Sequence, residues 1–391
     1  MKWCLVFYLS LVASMVVGQE SGKALLGRTT GKIPFLEYGL GDDRLGGAKM
    51  TYLDTNVLVR VVDSSGGDYR IQLSGQHHAY IAKESVKLLP GERARPYYLS
   101  GSWKAFGDSA YDYVTVSLED KLPYRSFQQI GPSRLVVELY GVTSNTNWIT
   151  QLGTLKEIRN TWYEQTEDDV MRVFIELRHP QHWGHTLYYD TTGARLIIRV
   201  NRQPDLKKGI KGLRIAVDAG HGGDNSGASG VNSARQEKEL TLLIATELEK
   251  ALKKAGAKEV YMTRRTDTSL GMPERILTLR ELRPDLLLSV HLNSTSSDTV
   301  SGTSTYYRYI GFRPLSQAVL KRMLELKLKE FGNVGGFNFA LSGPTEYPNC
   351  LVEVAFLSNP ADEKRILDPR FRKAVAAKIT AGVQDWLKEM K

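Results

Sequence analysis

Three observations predict a multidomain chain: an all-β N-terminal half, made of a small β-barrel plus a β-sandwich, followed by an α/β domain with a mainly parallel sheet flanked by helices. Up to about residue 200 the apolar residues come in short alternating runs bounded by Gly, Pro, Asn or Asp, the period-2 pattern of half-buried strands. Beyond residue 213, strand-like runs alternate with segments of helical spacing, as in a parallel sheet with crossover helices. Between the two halves, residues 202–212 contain Pro204 and several lysines and read as a linker. A chain of 391 residues is too long for one ordinary core, and 42% apolar with 24% charged residues suits a soluble globular protein.

The elements follow in order. Residues 1–19 combine Lys2, an apolar run from Trp3 to Val17 and small residues around Gly18, which reads as a signal peptide and not a membrane span. Cys4 falls inside that leader, so its removal leaves Cys350 alone and excludes an intramolecular disulfide. Cys350 lies among apolar residues and reads as a buried small side chain. Residues 28–92 hold the hairpin pattern Val57 to Val62, a turn at Gly66-Gly67, then Tyr69 to Leu73. This resembles the small bacterial SH-type barrels appended to exported wall enzymes.

Residues 96–201 continue in strands, among them Tyr113–Leu118, Arg134–Leu139, Arg172–Leu177 and Arg195–Val200, and predict a sandwich. The stretch from Leu122 to Val142 resembles the AMIN domains that attach some wall hydrolases to peptidoglycan. His179, His182 and His185 come close together, but Pro180 and Gly184 mark a loop and no carboxylate or cysteine completes a metal spacing, so a surface turn is expected.

In residues 213–391 the strands are expected near 213–217, 260–262, 285–290, 303–307 and 351–355. Helices are expected from Leu240 to Leu252, Glu274 to Leu282, Leu315 to Phe331 and Phe371 to Leu387. Of seven histidines only His221 and His291 lie beyond residue 200, and each directly follows an apolar strand-like run. Glycines flank His221, and in open α/β sheets ligands bind outside the carboxyl ends of the strands. Glu353 interrupts the apolar run Leu351 to Ala355, where a lone carboxylate would cost several kcal/mol. Glu237 begins a helix, a place its charge favours through the helix dipole alone. Two imidazoles and that first-turn carboxylate also make the His2Glu donor set of a catalytic zinc site, whereas hard cations would call for more carboxylates and a structural zinc for cysteines.

Residues 213–387 resemble the zinc-dependent N-acetylmuramoyl-L-alanine amidases. The matching motifs are Asp218-Ala219-Gly220-His221-Gly222-Gly223, Glu237-Lys238, Ser289-Val290-His291-Leu292-Asn293 and Val352-Glu353-Val354-Ala355-Phe356-Leu357-Ser358-Asn359-Pro360. The resemblance implies zinc held by His221, Glu237 and His291, with Glu353 as the catalytic glutamate. The family places its glutamate just before the lysine, which selects Glu237 over Glu239. Thr263 to Asp267 and Arg275 are expected as loop supports. Ala219 stands where the family has proline, and residues 337–349 are more elaborate than the family's link into the glutamate strand and are expected to line the substrate groove.

The implied activity is hydrolysis of the amide between N-acetylmuramic acid and L-alanine in peptidoglycan. The alternatives are a non-catalytic peptidoglycan-binding or regulatory protein, or another exported zinc hydrolase on the same polymer. Net charge +9 and pI near 9.3 suit an anionic wall. Export, and the lack of basic runs interleaved with aromatics, argue against nucleic acid. No integral membrane segment is expected once the leader is removed. A periplasmic location is favoured over an extracellular one, and a cell-wall or division-protein partner is expected through the N-terminal β-domains.

Overall fold

The computed structural model describes residues 24–41 and 46–390. The expected leader and Cys4 lie outside the described residues. Among those described, no helix is long and apolar enough to cross a membrane.

The first sheet has seven strands in the order Lys49–Tyr52, Phe35–Glu37, His78–Ala82, Asp68–Gln72, Leu58–Ser65, Leu25–Thr29 and Val86–Leu88. Its first strand begins at Leu25, before the boundary at residue 28 expected from the sequence, and pairs with Leu58–Ser65 and Val86–Leu88. The second unit has one sheet in the order Tyr124–Ile130, Ser133–Tyr140, Val170–Leu177, Ile158–Glu167. Facing it is a sheet built on Tyr98–Gly107, Tyr111–Leu118, Arg195–Asn201 and His185–Tyr189. The inward residues of the barrel and of the sandwich join in one apolar cluster, from Leu26 and Leu36 to Ile198 and Val200. The two N-terminal units are therefore packed together and not strung on a tether.

The C-terminal sheet runs in the order Glu259–Met262, Arg214–Ala219, Leu286–Asn293, Asn349–Phe356, Thr303–Tyr306, Glu330–Val334. The first four strands are parallel, but Thr303–Tyr306 is antiparallel to Asn349–Phe356, so the sheet is mixed at one side. Three helices, α1 (Glu237–Lys254), α3 (Arg313–Leu324) and α5 (Pro369–Glu389), share an apolar core with one face of this sheet. On the other face α2 (Met272–Leu282) buries Ile276 and Leu279 with Ala216, Leu287, Leu341 and Tyr347. Pro360–Leu367 forms α4, capped by Asn359, whose side chain accepts from the Ala361 and Asp362 amides.

Three sequence expectations need correction. The helix expected over 315–331 ends at Leu324, because Lys327 takes a left-handed conformation at φ 60°, and Glu330–Val334 becomes an edge strand beside Thr303–Tyr306. The linker over 202–212 is folded. Asp205 caps a 3₁₀ segment at Leu206–Gly212 by accepting from the Lys207 amide, and Ile210 is buried in the core of the C-terminal domain.

The loop 179–185 is a surface turn only at His179 and Pro180, and residues 181–185 are buried. His182 and His185 are each 2% exposed, and Trp183 packs on Trp386 of α5 with ring centroids 4.9 Å apart. Gln181 bridges the domains, its Oε1 accepting from Trp386 Nε1 at 3.1 Å and its Nε2 donating to the Gly311 carbonyl at 2.7 Å. Another domain covers this loop, which local spacing cannot report.

Candidate active site

The strand Arg214–Ala219 is buried from Ile215 onward and ends at Gly220, where the chain turns out of the sheet. His221 sits at φ 62°, an uncommon conformation for a side chain with a Cβ. Two buried guanidinium groups hold it there. Arg275 donates to the carbonyls of Ala219 (3.0 Å) and His221 (2.5 Å), and Arg264 to those of Ala219 (3.0 Å) and Gly220 (2.8 Å). Asp218, 1% exposed, anchors the arrangement by accepting from Arg275 at 2.6 Å, Thr263 at 2.7 Å and Ser289 at 2.7 Å. Burial works against its ionised form, but Arg275 and these hydrogen bonds keep its carboxyl below the usual range. The expected loop supports are thus in place, and Asp218, which the motif contains but to which sequence reasoning gave no role, anchors them.

Two glycines make room for the cluster. A Cβ at Gly220 would lie 2.4 Å from the His291 ring, and one at Gly227 would lie 2.5 Å from Glu237 Oε2. Neither position can carry a side chain without displacing a member of the cluster.

His291 ends the buried strand Leu286–Asn293, and Glu237 is the first residue of α1. Both carboxylate oxygens of Glu237 are fixed by backbone donors, Oε2 by the Ala228 amide and Oε1 by the Leu292 amide, each at 2.9 Å. The same oxygens face the two imidazoles, Oε2 at 3.1 Å from His221 Nε2 and Oε1 at 3.2 Å from His291 Nδ1. Burial raises the Glu237 carboxyl, but bonds to both imidazoles outweigh it and hold the group well below the usual carboxylate range. Burial likewise lowers His291, and Glu237, Glu353 and Asp218 together bring it above the ordinary histidine value.

The donor atoms themselves call for a cation. Asn225 Oδ1 lies 2.8 Å from His221 Nδ1 and also accepts from the Gly227 amide, so Nδ1 carries the donated hydrogen. In the neutral ring Nε2 is then a lone pair facing a carboxylate oxygen at 3.1 Å. Only a proton or a metal ion between them reconciles that contact. His291 Nε2 is buried and has no hydrogen-bond partner among the described residues. One ligand atom from each of His221, Glu237 and His291 lies within 4.8 Å of the others. Two imidazole nitrogens and one carboxylate oxygen form a donor set that fits zinc and, with three protein ligands, leaves a place for water or substrate. The contact from Asn225 is the kind that orients a ligating imidazole.

Glu353 lies in register with His291 on the adjacent parallel strand and with Ser304 on the antiparallel one. It lines the same cleft as His221, Glu237 and His291, a volume of about 740 Å³ also walled by Asn293, Thr295, Phe337 and Phe339. All four site residues expected from the sequence therefore meet there. Glu239 does not, and pairs with Arg235 at 3.1 Å. His179, His182 and His185 stay apart from the cleft. His179 meets Glu157 at 2.7 Å, and His185 meets Ser126 at 2.8 Å. Phe337 and Phe339 were legible only as part of an unusual loop. A second cavity, about 430 Å³ and walled by Arg199, Arg214 and Arg283 among others, lies at the opposite ends of the strands, beside Asp285 and Tyr347.

An open α/β sheet with a His2Glu donor set, two of its members buried and His221 half-buried, and a further carboxylate at its carboxyl ends suits a metal-assisted hydrolytic site. Residues 215–385 match the family model described as N-acetylmuramoyl-L-alanine amidase. The chain is similar to the N-acetylmuramoyl-L-alanine amidase AmiC of Neisseria meningitidis, with 25% identity over 367 residues covering 71% of this chain and 88% of that one. It is also similar to the probable cell wall amidase LytH of Staphylococcus saprophyticus, at 30% identity over 50% of this chain and 65% of that protein. Among solved structures, the catalytic domain of CwlV from Bacillus (Paenibacillus) polymyxa aligns with 32% identity over 46% of this chain and 99% of its own, at a TM-score of 0.43.

Proposed function

We propose that the chain hydrolyses the amide bond joining N-acetylmuramic acid to the L-alanine of the peptidoglycan stem peptide, with zinc held by His221, Glu237 and His291. The observation that carries this reading is the convergence of those three donors and Glu353 on one cleft, within a domain that matches the amidase family over residues 215–385. Bound zinc supplies a Lewis acid that polarises the scissile carbonyl and lowers the pKa of its water to about 7.

The remaining work falls to the chain. Glu353 accepts the proton of the attacking water at its carboxylate and returns it to the departing alanine nitrogen. Glu237, fixed by two backbone amides, stays ionised and keeps the imidazoles in place. Arg264 and Arg275 hold the His221 turn, so the donors are set before substrate arrives.

The same reading extends to the rest of the molecule. The β-sandwich acts as an AMIN-like module that holds the enzyme on peptidoglycan or a division partner, and the chain works after export, in the periplasm. Digestion of purified peptidoglycan with zinc-loaded protein, followed by mass analysis, should release intact stem peptides bearing a free L-alanine terminus. Products cut within the peptide, or deacetylated glycan, would replace this reading with that of a peptidase or a deacetylase.

A further inference from the structure

Phe337 and Phe339 stand on the wall of the catalytic cleft. Their rings stack at 6.1 Å with an interplanar angle of 25°, Phe339 meets the edge of the His291 ring at 5.3 Å, and Phe337 leans on Tyr306 at 4.6 Å. Both rings are half-buried, so each keeps part of its surface open.

Asn338, between them, turns to the N-terminal barrel. Its Oδ1 accepts from the Lys49 amide at 3.1 Å and from Arg308 at 3.3 Å, and its Nδ2 donates to the Gly47 carbonyl at 2.9 Å. Arg308 also donates to the Lys49 carbonyl. Two residues on, the Ala340 carbonyl accepts from the Tyr52 hydroxyl at 3.3 Å. The Tyr52 ring comes so close to Gly343 that a Cβ there would lie 2.8 Å from it. Residues 337–343 are thus an aromatic surface toward the cleft and a hydrogen-bonded seam toward residues 47–52.

We propose that Phe337 and Phe339 form an aromatic shelf that stacks on the sugar ring of the substrate, and that the barrel fixes this shelf through Asn338 and Tyr52. The identity of the sugar rests on the amidase reading above. A pyranose presents a flat face of C–H groups, which an aromatic ring next to the reacting bond can cover while the hydroxyls stay in water. Covering that face gives binding energy that is the same before and during reaction, so its loss shows in KM and leaves kcat nearly unchanged. Phe337 and Phe339 act on binding and specificity, Asn338 and Tyr52 as positioning residues. The barrel then backs one wall of the active site as well as being an appended module.

The test uses the full-length, zinc-loaded chain, with a disaccharide-peptide, the peptide-free disaccharide and the sugar-free stem peptide as probes. For Phe337→Ala and Phe339→Ala, KM for the disaccharide-peptide should rise about tenfold with kcat changed less than about twofold. Disaccharide binding in calorimetry should weaken in parallel, while zinc content and stem-peptide binding stay at wild-type levels. Phe339→Leu, which keeps apolar bulk without the flat face, covers the case in which the alanine variant does not fold, and should show the same rise in KM. Asn338→Ala should give a smaller rise, with faster amide exchange confined to residues 337–343. Wild-type KM and disaccharide affinity in the phenylalanine variants would overturn the shelf, and unchanged exchange in Asn338→Ala would overturn the role of the barrel. A wild-type chain that binds the disaccharide but cuts another bond would refute the amidase reading and leave the shelf standing.

Discussion

Two groups of histidines divide the molecule. His179, His182 and His185 lie within one short loop, yet their ring nitrogens go to separate partners: Glu157 for His179, the Gln129 carbonyl and Ser133 for His182, and Ser126 for His185. His221 and His291 lie far apart in sequence, yet both face one carboxylate, that of Glu237. Nearness along the chain made an interdomain seam in the first case. A shared carboxylate at the start of a helix, facing two strand ends, made a metal-binding geometry in the second. The lesson is that a ligand set is built by convergence on one anion, and a count of histidines in a window does not detect it.

The sharpest way to break this contrast is His221→Ala, which should remove zinc and reduce peptidoglycan hydrolysis to background, while His182→Ala retains a full equivalent of zinc by elemental analysis. Equal metal loss in both variants would erase the distinction. Next in size, Glu353→Gln should keep zinc but lower kcat by about 10²–10⁴-fold, the usual worth of a positioned proton carrier. Normal turnover in that variant would assign the proton to another group.

Asn225→Ala should then weaken zinc binding by about 10–100-fold in competition with a chelator, as loss of an orienting contact to a ligating imidazole does. Wild-type affinity would mean that the backbone alone sets the His221 ring.

The smallest effect belongs to the seam. Burial pushes His185 down from 6.5 to about 3, with His182 beside it contributing, and burial lowers His182 as well. The unfolded chain takes up protons below 6.5 that the folded seam refuses. Stability is therefore highest above that pH and declines on acidification, by at most about 1.4 kcal/mol per pH unit for one group. His185→Gln should flatten the fall in urea midpoint between about pH 7 and pH 5. A slope equal to that of the wild type would place the acid sensitivity elsewhere.

Much of this was legible in the sequence. A period of two up to residue 200 and strand–helix alternation after 213 are local properties, because they follow from which side chains point to the same side of one element. His221, His291 and Glu353 stood out because polar residues at the ends of apolar strands are conspicuous, and Glu237 because it opens a helix. The motifs then joined the four into one site.

Other features depended on chain segments that no local pattern connects. Trp386 covers Trp183 from the far end of the chain, which turned an apparently exposed loop into a buried seam. Ile210 found a core under α5, so the linker folded. Gly47 and Lys49 met Asn338, which set Phe337 and Phe339 against the cleft. Sequence by itself determined most of the elements and which polar side chains stand at the ends of apolar strands, since both rest on short-range periodicity and residue type. Only the tertiary structure decided which surfaces are covered and which walls the substrate meets, because those depend on hydrogen bonds and apolar contacts between residues hundreds of positions apart.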